Sequence, residues 1–163
     1  FKIEGRMKTA LYVATVARTY RRAIDDYKQS PELYREHMAW YQEQISNCTY
    51  RQFTTGFFFG KPDHETQIYD NNTYVRGYVF LGIIREVDEE GYALIEQKNK
   101  FCVGDEIEIM KPSGENVTVK VLDMKNEKGE KVESCPHPGE LVKILLSETP
   151  DVMNLIRVKE ENK

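Results

Sequence analysis

The chain has 163 residues, 40% of them hydrophobic and 31% charged, with a formal net charge of −4. That is ordinary for one globular domain, or for a small domain with a helical attachment, and the absence of any apolar run of about 18 residues excludes a membrane-spanning helix. Three widely spaced cysteines, Cys48, Cys102 and Cys135, form no C-x-x-C pair, so a reduced, cytoplasmic protein is expected and zinc-ribbon and thioredoxin chemistry are not.

Charge divides unevenly along the chain. Residues 1–61 hold 10 Lys/Arg against 6 Asp/Glu, a net of +4, whereas residues 62–163 hold 13 against 21, a net of −8. The two parts should therefore meet different partners. A first residue of Phe1 rather than Met fits a chain excised from a larger protein.

The segment from Thr9 to Lys28 reads as a helix, because Val13, Ala17, Tyr20, Ile24 and Tyr27 recur at three- and four-residue steps with no Gly or Pro between them. Ser30-Pro31-Glu32 starts a second helix: Ser30 can cap, Pro31 suits the first turn and Glu32 favours the positive end. It should run to about Asn47, with Leu33, His37, Tyr41 and Ile45 on one stripe, and the short link predicts an antiparallel pair. Residues 1–50 are thus a helical hairpin and its lead-in.

An aromatic and polar linker is expected over 51–73, containing Phe57-Phe58-Phe59 between Gly56 and Gly60. From Tyr74 to 158 the signal is β. Alternating runs such as Ile107/Ile109, Val117/Val119/Val121 and Val142/Ile144/Leu146 are separated by turn residues at Gly91, Gly104, Gly114, Gly129 and Gly139. About six short strands at this spacing indicate a small antiparallel barrel or sandwich. The fold class is therefore α+β, an N-terminal helical hairpin followed by a small antiparallel β-barrel, with a tail at 159–163.

Four groups of residues could carry chemistry. In Lys2-Ile3-Glu4-Gly5-Arg6, Glu4 could act as a base and Arg6 could clamp an anion if the run ends a barrel strand, or the two could fix that strand end. Gly56 to Lys61 fails as a phosphate loop, having three residues rather than four between its glycines and Pro62 after the lysine. Its rings serve packing, or stack bases or peptide side chains. Arg18, Arg21 and Arg22 form a basic patch that could contact RNA, although Arg21 with Asp25 and Arg22 with Asp26 are spaced to pair along the helix. His37, His64 and His137 do not cluster, and Cys135-Pro136-His137 with Cys102 lacks ligand spacing, so no metal is assigned.

Several of these runs carry a family resemblance. Lys2-Ile3-Glu4-Gly5-Arg6-Met7-Lys8 with Tyr12-Val13-Ala14, then Tyr20-Arg21-Arg22-Ala23-Ile24-Asp25, then Arg51 with Phe53-Thr54-Thr55-Gly56-Phe57-Phe58-Phe59-Gly60, resemble peptidase family U32. Gly82-Ile83-Ile84, Glu96 to Phe101 and Gly104-Asp105-Glu106-Ile107-Glu108 are similar to its C-terminal β domain, whose barrel resembles those of translation factors. Tyr50 departs from the pattern, since the family often has His before the Arg.

The resemblance implies a larger N-terminal catalytic domain outside this sequence, with any metal or iron–sulfur cluster housed there and no cofactor in this chain. It also implies that the chain alone is not a peptidase. Lys2, Arg51, Phe57, Phe58 and Phe59 would contact that domain or a polypeptide substrate, placing or recruiting it. Some family members are linked instead to hydroxylation of tRNA or rRNA, in which case this region docks RNA.

Overall fold

The computed structural model describes residues 2–48, 58, 60–61 and 77–160. Three helices precede six strands: α1 (Ala10–Gln29), α2 (Pro31–Glu36), α3 (Met38–Ser46), β1 (Tyr78–Val87), β2 (Tyr92–Gln97), β3 (Glu106–Met110), β4 (Asn116–Lys125), β5 (Leu141–Leu146) and β6 (Leu155–Lys159). Of the expected linker, only Phe58, Gly60 and Lys61 fall among the described residues.

Both helix starts follow from their caps. The Thr9 hydroxyl accepts from the Tyr12 backbone N–H at 3.2 Å, and the Ser30 hydroxyl accepts from that of Leu33 at 3.0 Å, with Pro31 in the first turn. The single second helix expected to Asn47 is instead two, broken at His37, which has φ −86° and ψ 3°. That bridge-region conformation interrupts the helix, and the His37 ring lies 2.8 Å from the Asp26 carboxylate of α1. α3 returns antiparallel to α1, since Tyr41 meets Asp26 while the later Gln44 meets the earlier Arg18.

The strands close into a barrel in the order β1-β2-β5-β4-β3-β6, every pair antiparallel. The alternation read from the sequence is the inside–outside alternation of this barrel. Ile107, Ile109, Val119, Val121, Val142, Ile144 and Leu146 are buried together with Leu81, Ile84, Ile95 and Ile156. Register shifts between Ile84 and Glu86, Phe80 and Gly82, and Val121 and Asp123 bend the two long strands β1 and β4, as closure of a small barrel requires.

The helices sit on the outside of this barrel. Leu11 of α1 packs with Phe80 and Met110, joined by Ala14, Tyr78, Ile83 and Leu155, so α1 rests across β1, β3 and β6. The apolar stripe recognised on α1 faces the other way. Leu11, Thr15, Val16, Arg18 and Thr19 are buried, whereas Val13, Ala17, Tyr20 and Tyr27 are exposed and Ile24 is half-buried. That face can be buried because Arg18 finds acceptors on α3 and the β3–β4 segment and because the Thr15 and Thr19 hydroxyls donate to carbonyls of α1 itself.

Gly82 is where closure tolerates no side chain. A Cβ there would lie 2.8 Å from the Glu96 carbonyl oxygen on the neighbouring strand. Gly82→Ala should therefore cost about 1–3 kcal/mol, read as a lower midpoint in urea with an unchanged slope. An unaltered midpoint would show that β1 and β2 can separate there without strain.

Candidate functional site

The junction between helices and barrel is built around two buried arginines. Arg18 is 7% exposed. Its Nη1 donates to the Lys111 carbonyl at 3.1 Å and to Asn116 Oδ1 at 2.8 Å, and its Nη2 donates to Gln44 Oε1 at 2.8 Å. One guanidinium thus ties α1 to α3 and to the β3–β4 hairpin, while its Nε has no hydrogen-bond partner. Burial, reinforced by nearby Arg157 and only partly offset by Glu108, lowers its pKa to about 10.

Arg157 is 1% exposed and lies across from Glu108 in the β3–β6 register. Its Nε donates to Glu108 Oε2 at 2.9 Å, and its Nη2 stands 2.9 Å from the same oxygen without hydrogen-bond alignment. The guanidinium lies 3.6 Å from the Tyr78 ring centroid, and the Tyr78 hydroxyl donates to Glu108 Oε1 at 3.2 Å. Burial first, then the Glu108 charge, raises the Tyr78 phenol.

Above these groups opens a polar cleft of about 530 Å³ between α3 and the β3–β4 hairpin. Trp40, Gln44, Tyr78 and Asn116 form its walls, Arg22 lies 4.7 Å over the Trp40 ring, and Glu43 and Glu115 stand at the exposed rim. Cations and carboxylates are mixed here, which suits a polar group more than a bare anion.

A second cluster holds the helical hairpin. Asp26 accepts from the Tyr41 hydroxyl and from His37 Nδ1 at 2.8 Å, with Arg22 Nε at 3.7 Å. Burial raises the Tyr41 phenol, and the Asp26 charge raises it further. Burial alone would lift the Asp26 carboxyl, but the bonds from Tyr41 and His37 and the nearby Arg22 outweigh it, leaving the carboxyl below its ordinary value.

The candidate residues fare differently. Glu4 and Arg6 are exposed, the Glu4 carboxylate accepting from the Arg6 backbone N–H at 3.0 Å, and Lys2 is exposed beside them. Phe58 is 84% exposed, whereas Arg51, Phe57 and Phe59 lie outside the described residues. The arginine trio is split. Arg18 is internal, Arg22 is half-buried against Trp40, and Arg21 is exposed in an ion pair with Asp25. Trp40, Gln44, Glu108, Asn116 and Arg157 escaped the sequence reading. A charged residue between apolar neighbours, as in Ile107-Glu108-Ile109 and Ile156-Arg157-Val158, was the signal for Glu108 and Arg157, and Trp40, Gln44 and Asn116 carried none.

Among the described residues no group of three or more His, Cys, Asp or Glu could hold a metal ion. Burial pushes the Cys48 thiol up to about 11 and also raises that of Cys135, so neither is an activated nucleophile. No described helix is long and apolar enough to cross a membrane.

Comparison with known proteins decides what this scaffold is. Residues 1–68 match the profile of Peptidase family U32, and residues 76–157 match that of the Peptidase family U32 C-terminal domain. The chain belongs to peptidase family U32. It is 35% identical over 157 residues to tRNA hydroxylation protein P1 of Bacillus subtilis (strain 168), covering 96% of this chain and 37% of that protein. Identity to tRNA hydroxylation protein P of Escherichia coli (strain K12) is 32% over 139 residues, covering 85% of this chain and 30% of the relative. A Collagenase of Porphyromonas gingivalis is 32% identical over 130 residues, 78% of this chain and 36% of that protein. This U32 chain thus spans about a third of the length of these relatives. The crystallised C-terminal domain of a Geobacillus thermoleovorans protein described as a U32 peptidase covers 49% of this chain and 99% of that one, at 31% identity and a TM-score of 0.45.

Two outcomes follow for the junction. Arg18→Ala leaves three neutral acceptors without their donor and should destabilise the chain by about 1–3 kcal/mol, the cost of buried polar groups left unpaired. Hydrogen exchange should rise in α1 and α3 before it rises in the barrel, and uniform exchange would deny Arg18 its role as the tie. Asp26 has a lowered folded pKa, so its contribution is full above the ordinary carboxylate pKa of about 4 and is lost as pH falls through the folded value. Asp26→Asn should lower the melting temperature at pH 7 and flatten the loss of stability on the acid side. Parallel pH profiles for both proteins would refute that assignment.

Proposed function

We propose that this chain is the non-catalytic C-terminal region of a tRNA hydroxylation protein, holding tRNA against a catalytic domain carried elsewhere in the polypeptide. The observation that carries this reading is the collinear 35% identity over 96% of the chain, running through helices and barrel alike, to a protein named for tRNA hydroxylation. Helices and barrel are tied together by Arg18, which suits a unit that positions rather than reacts.

Charge favours the helical part as the side that meets RNA. Residues 1–61 carry +4 and residues 62–163 carry −8, and phosphate binding rests on release of counterions by a basic surface. Lys2, Arg6, Arg21 and Lys28 are exposed there, whereas Arg18 is spent on internal hydrogen bonds. The catalytic domain and any metal or iron–sulfur cluster in it belong to the same proposal.

The likeness to a Collagenase supports a second reading, in which the unit presents a polypeptide to a peptidase domain. Mass spectrometry of tRNA nucleosides separates the two. A strain lacking the gene for this chain should lose a hydroxylated nucleoside, and a gene copy carrying Arg21→Glu and Lys28→Glu should restore it only in part. A complete nucleoside profile in the deletion strain, together with lost gelatin cleavage, would replace the RNA reading by the peptidase one.

A further inference from the structure

The outer face of α1 is built like an inner one. Val13, Ala17, Tyr20, Ile24 and Tyr27 lie along a face about 21 Å long at 1.5 Å per residue, opposite the polar face that docks on the barrel. Val13 is 40% exposed, Tyr20 43% and Tyr27 58%. An apolar groove of about 370 Å³ adjoins it, lined by Ala23 of α1 and by Met38, Tyr41 and Ile45 of α3. Of the ten large hydrophobic residues exposed among the described residues, Ile3, Met7, Val13, Tyr20, Tyr27 and Phe58 belong to the helical part and its flanks, and four belong to the larger barrel. A helix sandwiched between a polar docked face and an apolar outer face is the middle layer of a three-layer arrangement.

We infer that this face docks the remainder of the family's catalytic domain, which presents a complementary apolar surface to α1 and the α1–α3 groove. Two observations select that occupant. Residues 1–68, which include the whole helical hairpin, match the Peptidase family U32 profile, whereas the C-terminal domain profile begins only at residue 76. The helices are therefore the closing part of the catalytic region, and the Bacillus subtilis relative has 63% of its length outside the matched stretch, this chain covering 37% of it.

The second observation is the path of the Lys2–Arg6 segment. A Cβ on Gly5 would lie 2.5 Å from Val13 Cγ2, so the backbone of this segment lies against the first residue of the apolar face. Docking there brings the catalytic domain up to exposed Glu4 and Arg6, and the face and the candidate site become one continuous surface. The inference rests on family membership and not on the RNA reading: a tRNA profile unchanged by deletion would leave it standing.

The test uses the full protein encoded by the gene. With p-benzoylphenylalanine replacing Tyr27, irradiation should yield crosslinks within one polypeptide to residues preceding Phe1, whereas the same group replacing Leu122, which is 50% exposed on the barrel, should yield none there. Crosslinks from position 27 to a second copy, or a reading frame with no preceding domain, would overturn the inference. Ala17→Glu provides an independent readout: it should lower the melting temperature of the full protein while leaving that of the 163-residue chain unchanged. Equal shifts in both, or no shift in either, would also overturn it.

Discussion

The guanidinium of Arg18 is the point on which the two parts of the molecule depend. It satisfies a carbonyl and two side-chain amide oxygens drawn from the β3–β4 hairpin and from α3, segments separated from it by 93, 98 and 26 positions. No apolar contact could do this, because those oxygens would otherwise be buried and unpaired. Burial of the charge carries a penalty visible in its pKa of about 10, so the tie gains its worth from geometry rather than from favourable solvation. Arg157 and Glu108 form the same kind of bond within the barrel, one layer below, and the two arginines repel each other across the junction.

This arrangement sets the orientation of α1. Arg18 and Asp26 find their partners on the barrel hairpin and the other helices, while the buried Thr15 and Thr19 satisfy their hydroxyls on carbonyls of α1 itself, so the apolar stripe faces outward. The amphipathic pattern is intact and its polarity relative to the barrel is reversed. The same helix thus holds the C-terminal barrel with its polar face and leaves its apolar face on the outside. Net charge divides along the same line, +4 over residues 1–61 and −8 over residues 62–163.

The barrel is closed around a continuous hydrophobic core. Its interior is filled mainly by aliphatic side chains with Phe101, Met124 and Cys135 among them, and some of its outer charges are paired, as in Asp88 with Lys143, Glu96 with Arg85 and Asp123 with Lys131. Exposed pairs of this kind add little stability individually.

What the sequence determined alone is the set of elements and the membership. Strand alternation was legible because a closed barrel buries one side of every strand, so period two survives into the amino-acid order, as Val142, Ile144 and Leu146 display. Helix starts at Thr9 and Ser30 were legible because caps are local chemistry. The break at His37 was not, since its conformation is coupled to a carboxylate 11 positions away. Nor was the pairing of Glu108 with Arg157, which required the β3–β6 register, or the burial of Arg18, which a solvated helix face would equally have explained. A helical period states that a face is apolar but not what it meets. Only the tertiary structure decided that, because the direction of α1 is set by hydrogen-bond acceptors that come together once the chain has folded.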